Sequence, residues 1–217
     1  MIAPLLLAAL SPLFAQDSLS PAEKREGFVS LFNGRDLDGW DGDKSLWKVE
    51  NGVLVGLSDG RPFKVNTFLS YTRKTDYSDF VLRADVKLRN HNSGIHFRSK
   101  QLPEPGWIVM GYQADCSHAG EKSAWGNFYE ERGRGRNVMK NPNEGWNAAQ
   151  NVLRAKDWNS YEIFADGPRI KLHFNGIQTI DTTDTVASSG IVALQLHAGE
   201  EMRVEFRNIR IKELKRR

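Results

Sequence analysis

"FVLRADVKLR", residues 80–89, alternates without a break. Phe80, Leu82, Ala84, Val86 and Leu88 fall on one side; Arg83, Asp85, Lys87 and Arg89 fall on the other. A period of two is the pleat of a β-strand with one face in a core and one face in water. The same reading extends outward. "LWKVENGVLVG" (46–56) places Asn51-Gly52 between alternating apolar residues, and "RIKLHFNGIQTID" (169–181) does the same with Asn175-Gly176. Asn-Gly tolerates positive φ at both positions, which a two-residue hairpin turn requires. "GIVALQLHAG" (190–199) and "MRVEFRNIRIKEL" (202–214) supply two more strands. In the latter, Val204 and Phe206 set one parity and Ile209 and Ile211 the other, so a bulge is expected near Arg207-Asn208. No segment carries a helical stripe. Many short strands at regular spacing indicate an all-β sandwich of two antiparallel sheets.

The chain has 217 residues, enough for one domain with a full core, and a formal net charge of +3. So small a charge, with acids and bases interleaved, gives no footprint for nucleic acid. "MIAPLLLAALSPLFA" (1–15) is uncharged and apolar, too short to span a bilayer, and reads as a signal peptide. The expected organisation is that peptide, a polar linker over 16–26, one domain over 27–214 and a basic tail over 215–217. Export to the periplasm or the exterior follows, with no membrane span; the sequence is silent on oligomeric state. Cys116 is the single cysteine, so no disulfide forms within the chain and the thiol is expected to pack as a small apolar group.

Three strands carry amide or ionisable groups at alternate positions. Asn92, His96 and Arg98 alternate with Ile95 and Phe97; Gln113 and Asp115 alternate with Tyr112 and Ala114; Gln195 and His197 alternate with Leu194 and Leu196. Solvated sheet faces usually carry Lys, Glu and Thr. This set carries the groups that read hydroxyls and carbonyls. If these strands are neighbours, the residues form one polar patch. "YEERGRGR" (129–136) adds Glu130 and Glu131 beside three arginines: a salt-bridged loop, or a general acid or base with an anion clamp. No HxH or HExxH spacing supports a resident metal, although His96, His118, His197 and Asp115 leave room for a loosely held divalent cation. The stretch 117–150 is long and irregular, and its aromatic content argues for an ordered functional loop.

Taken in order, "FVSLFNGRDLDGW" (28–40), "VENGVLVG" (49–56), "NTFL" (66–69), "NSGIHFRS" (92–99), "GYQAD" (111–115), "YEERGRG" (129–135), "DWNSYEI" (157–163), "LQLHAG" (194–199) and "VEFRNIRIKEL" (204–214) resemble the 3-keto-disaccharide hydrolase family. The resemblance implies a concanavalin A-like jelly roll with a sugar site on the concave face, and action on glycosides already oxidised at C3. Gln113 departs from the Glu that many relatives carry there.

A C3 ketone acidifies the C2 proton, so such an enzyme needs a base at C2, a cationic or hydrogen-bonding group at the C3 oxygen and an acid for the oxygen leaving C1. His197 is the first choice for the base, Glu131 the second choice or the acid, and Arg98 the group at the enolate oxygen. Asp115, Gln113, Gln195, His96, Asn92 and Glu130 are expected to bind substrate, with Trp125 or Trp146 stacking on the sugar ring. No cofactor is expected. The rival reading is a non-catalytic carbohydrate-binding module on the same sandwich, since fold alone does not decide.

Overall fold

A computed structural model describes residues 19–58, 60, 63–118, 123–139 and 143–215. The proposed signal peptide lies outside the described residues. Two antiparallel sheets face each other. Sheet A runs β13 (Ile177–Thr183), β12 (Arg169–Phe174), β11 (Asn159–Asp166), β6 (Phe80–Leu88), β15 (Arg203–Glu213), β4 (Val53–Leu57) and β3 (Trp47–Glu50), with β1 (Val29–Ser30) paired to β15. Sheet B runs β10 (Arg136–Asn137), β9 (Phe128–Glu131), β8 (Val109–Ser117), β7 (Asn92–Gln101), β14 (Ile191–Leu196), β5 (Thr67–Tyr71) and β2 (Trp40–Asp41). The all-β sandwich expected from the alternation is the architecture found.

The inner faces supply one core. Leu82, Ala84 and Val86 of β6 meet Ile95, Phe97, Tyr112 and Ala114 of sheet B in a single buried cluster. Burying a side chain of this size stabilises by roughly 1.5–3 kcal/mol. The turns behave as their residues dictate. Asn51 and Gly52 take φ of 50° and 78°, and Asn175 and Gly176 take 47° and 83°, so each hairpin closes on two left-handed residues. Gly56 is required for a different reason: a Cβ there would sit 2.7 Å from the buried Trp47 ring. The bulge expected near Arg207-Asn208 lies there, with a register shift against β6 between Arg207 and Arg210 and Asn208 at φ 52°.

Two elements depart from the strand-only reading. Residues Pro21–Glu26, expected as linker, form helix α1. Ser20 caps it and Glu23 returns the bond, a capping box, with Pro21 in the first turn. Glu144–Asn151 forms helix α2, capped by Asn143 and packed on β13. The stretch 117–150 is therefore not one loop: it contains β9, β10 and α2, while residues 119–122 and 140–142 lie outside the described residues.

Candidate functional site

The outer face of sheet B collects the polar side chains. Register puts His96 of β7 beside Gln113 of β8, Gln113 beside Tyr129 of β9, and Gly94 beside Asp115. Gly94 is the enabling residue, because a Cβ there would lie 2.3 Å from the Gln113 side-chain carbon. Without one, the Gln113 amide lies down over β7 and makes two bonds. His96 Nε2–H donates to Gln113 Oε1, and Gln113 Nε2 donates to Asp115 Oδ1 at 3.1 Å. His96 is sealed from solvent beneath the Phe68 ring, edge-on at 4.9 Å. Burial pushes its pKa down to about 3, so it is a neutral donor.

Asp115 is 6 % exposed. Burial pushes its carboxyl up to about 7, against the opposing hydrogen bonds from Gln113, the Cys116 backbone and Asn92, and the nearby Glu131 adds to the rise. Glu131 is shifted upward too, first by burial, with His197, Asn66, Arg132 and Gln195 pulling the other way. Gln195 Nε2 donates to Glu131 Oε2 at 3.3 Å and Asn66 Nδ2 donates to Oε1 at 3.4 Å. Each carboxyl thus rests on amides and lacks an Arg or Lys ion pair among the described residues. The other ends of two of those amides, Gln195 Oε1 and Asn92 Oδ1, are buried acceptors with no partner among the described residues. A buried amide oxygen left this way calls for a donor.

His197 stands at the end of β14. Its Nδ1–H donates to the Ala198 carbonyl at 2.7 Å, which leaves Nε2 as the lone-pair nitrogen. The His91 ring lies 4.7 Å away, and burial followed by the His197 charge lowers the His91 pKa. Asn66 ties this corner together, accepting from Ala198 N at 2.9 Å while donating to Glu131. A cleft of about 630 Å³ opens on Asn66 and His197, walled by Phe63, Lys64, Ala198 and Gly199.

The face therefore gathers His96, Gln113, Asp115, Glu131, Gln195, Asn92 and His197. Four expected members lie elsewhere. Arg98 sits at a bulge of β7 with φ 45°, which turns its side chain off the face. Its guanidinium, 2 % exposed, donates to the carbonyls of Ser78 (2.7 Å) and Gly167 (2.7 Å) and touches Asp79 at 3.3 Å. It pins sheet B to the turns of sheet A. Glu130 follows the pleat inward, opposite to Glu131, and pairs with Arg134, which also holds Asp184 at 2.7 Å. Trp125 is a core residue stacked on Tyr161 and packed against Phe174. Trp146 is carried by α2, the helix that covers β13 of the opposite sheet.

Three residues on the face escaped the alternation argument: Asn66, His91 and Tyr129, whose pKa is raised by burial and by both carboxyls. Tyr129 shares the parity of Glu131 and was legible. Asn66 and His91 stand outside strands, and only the bonding of Asn66 and the left-handed φ of 70° at His91 reveal them. Among the described residues no group of three or more His, Cys, Asp or Glu is placed to hold a metal ion.

Comparison with solved structures places the fold among sugar-related sandwiches. A "putative glycosyl hydrolase" from Parabacteroides distasonis superposes with a TM-score of 0.63 at 22% identity, covering 92% of this chain and 99% of its own. The carbohydrate-binding module CBM66 from Bacillus subtilis gives 0.57 at 18%, covering 81% and 96%. The carbohydrate recognition domain of Emp47p gives 0.59 at 13%, covering 90% and 99%. At these identities the likeness is one of fold: lectin-like jelly rolls. No curated protein matches the sequence. A family model described as a 3-keto-alpha-glucoside-1,2-lyase-like domain matches residues 27–212, and the chain belongs to that family.

Proposed function

We propose that the protein eliminates the leaving group of 3-keto-glucosides at the outer face of sheet B, by proton abstraction at C2, loss of the C1 oxygen substituent and subsequent hydration. The observation that carries this reading is the pair Asp115 and Glu131. Asp115 is buried and Glu131 half-buried, both carboxyls are shifted upward in pKa, and both lean on amides, two of which, Asn92 and Gln195, have oxygens without a partner among the described residues. A face built only for solubility has no use for that arrangement.

His197 Nε2, left as the lone-pair nitrogen by the Nδ1–H bond to the Ala198 carbonyl, takes the C2 proton. The C–H electron pair moves into the C3 carbonyl as an enolate. Arg98 is committed elsewhere, so Asp115 in its neutral form donates to the C3 oxygen, as a carboxylic acid with a pKa near 7 is able to do. The enolate collapses, the C1–O bond breaks, and the leaving oxygen takes a proton from Glu131, whose carboxyl pKa is shifted upward by burial. Asn92 and Gln195 accept from ring hydroxyls. Water adding across the new double bond completes a net hydrolysis. Residues 1–15 would export the protein, and the N-terminus of the secreted form tests this.

The experiment offers a 3-keto-disaccharide and its unoxidised parent to the purified protein. Release of monosaccharide from the oxidised sugar alone is the expected result; release from both, or from neither, removes the mechanism. Tight sugar binding without turnover would make the protein a carbohydrate-binding module instead.

A further inference from the structure

A second cleft adjoins the first. It has a volume of about 470 Å³ and shares Phe63 and Lys64 with the cleft that opens on His197. Two of its lining residues, Thr67 and Arg132, directly follow Asn66 and Glu131 in the chain, the pair that bond each other at 3.4 Å. It therefore begins where the acid assigned to the leaving oxygen stands.

Half of its lining residues are apolar: Leu46, Phe63, Val65, Pro105, Trp107 and Ile108. Several of its polar side chains are engaged with their neighbours. Arg132 pairs with Glu104 at 3.2 Å, Thr67 Oγ1 donates to the Gly106 carbonyl at 2.9 Å, and Asp43 accepts from Ser45 N at 2.8 Å. Trp107 Nε1 donates to Asp41 at 3.1 Å, which fixes the indole on its turn, where Trp107 adopts φ 52°. A second sugar would bring a ring of hydroxyls to a wall that is half apolar, where Lys64 and Asp43 are the charged groups outside an ion pair among the described residues. A flat apolar group asks only for surface to cover.

Resting on the function proposed above, we infer that this cleft holds the leaving group and selects a planar, apolar one, an aryl ring on the C1 oxygen, with Trp107 as the selecting residue. The test compares kcat/KM on phenyl and methyl 3-keto-α-glucosides for the unaltered protein, Trp107→Ala, Trp107→Phe and Phe63→Ala. The intrinsic leaving ability of phenol cancels when the phenyl-to-methyl ratio is compared between proteins. Trp107→Ala and Phe63→Ala are expected to lower that ratio about tenfold each, and Trp107→Phe to restore most of it. Equal loss on both substrates would make Trp107 a structural residue and overturn the inference. A selective loss on a 3-keto-disaccharide with the phenyl ratio unmoved would overturn it in favour of a sugar. Turnover of none of these substrates by the unaltered protein would remove the parent reading, and this inference with it.

Discussion

The two outer faces of the sandwich obey the same pleat and end in opposite chemistry. On sheet A the alternate positions carry charges that find each other: Arg83 with Glu162 at 2.7 Å, Lys87 with Glu205 at 2.7 Å, Arg207 with Asp85 at 3.3 Å. A cleft of about 340 Å³ on this sheet has Arg83, Glu162 and Arg210 in its wall, all engaged in such pairs. On sheet B the alternate positions carry His96, Gln113, Asp115 and Gln195, sunk below solvent, and the half-buried Glu131, bonded through amides. Exposed pairs gain little from each other and do no chemistry. Burial raises the pKa of a carboxyl that rests on neutral partners, in Asp115 to about 7. The difference between a soluble face and a reactive one is how the charges are paired, and burial makes it count.

The sharpest way to break this contrast is to neutralise acids on both faces. Asp115→Asn and Glu131→Gln should each cost 10²-fold or more in turnover of a 3-keto-glucoside, whereas Glu162→Gln and Glu205→Gln on sheet A should leave it within twofold. Steady-state kinetics on the four variants decides; equal effects on the two faces would dissolve the comparison.

Stability against pH sharpens it next. Asp115 moves from its ordinary 3.8 to about 7 on folding, so between these values the unfolded chain releases a proton that the folded chain keeps. Stability therefore falls as pH rises through that window, by no more than about 4 kcal/mol for this group. Asp115→Asn should remove that slope and gain stability at pH 8 relative to pH 4, read by denaturant unfolding at both pH values. An unchanged slope would mean that the carboxyl is not held neutral.

Arg98 separates structure from chemistry on the same strand. Arg98→Met leaves the Ser78 and Gly167 carbonyls unmatched and should destabilise by about 3 kcal/mol, while kcat of the folded fraction stays put. A large fall in kcat at unchanged stability would return Arg98 to the enolate oxygen. At the small end, Arg83→Met breaks an outer pair of sheet A and should change stability by less than about 1 kcal/mol.

Much of this was legible in the chain. Period two in 80–89 and the two Asn-Gly turns carry the fold, because strand alternation and positive φ are local properties. The parity of Gln113, Asp115 and Gln195 carries most of the face. What failed was alternation applied across an interruption. His96 and Arg98 share parity, yet Arg98 adopts a left-handed φ at a bulge and turns inward, and one such residue resets every later side chain. Glu130 and Glu131 cannot share a face of a strand, and taking them together treated β9 as a loop. Helix α1 announced itself as Ser20-Pro21-Ala22-Glu23, a capping box with Pro at the first position, too short to show a stripe. Trp125 was read by type, and an aromatic is as able to fill a core as to face a sugar. Asn66 and His91 lay in irregular segments, where only tertiary contacts assign a direction.

The most direct test follows the C2 hydrogen. With a 3-keto-glucoside deuterated at C2, the protein should release the alcohol more slowly than from the protiated substrate and lose the label to solvent, and it should leave the unoxidised glucoside intact. Alcohol released at equal rates with the C2 label retained in the sugar product would mean that the glycosidic bond breaks by another route, and that the recessed acids of sheet B serve a different end.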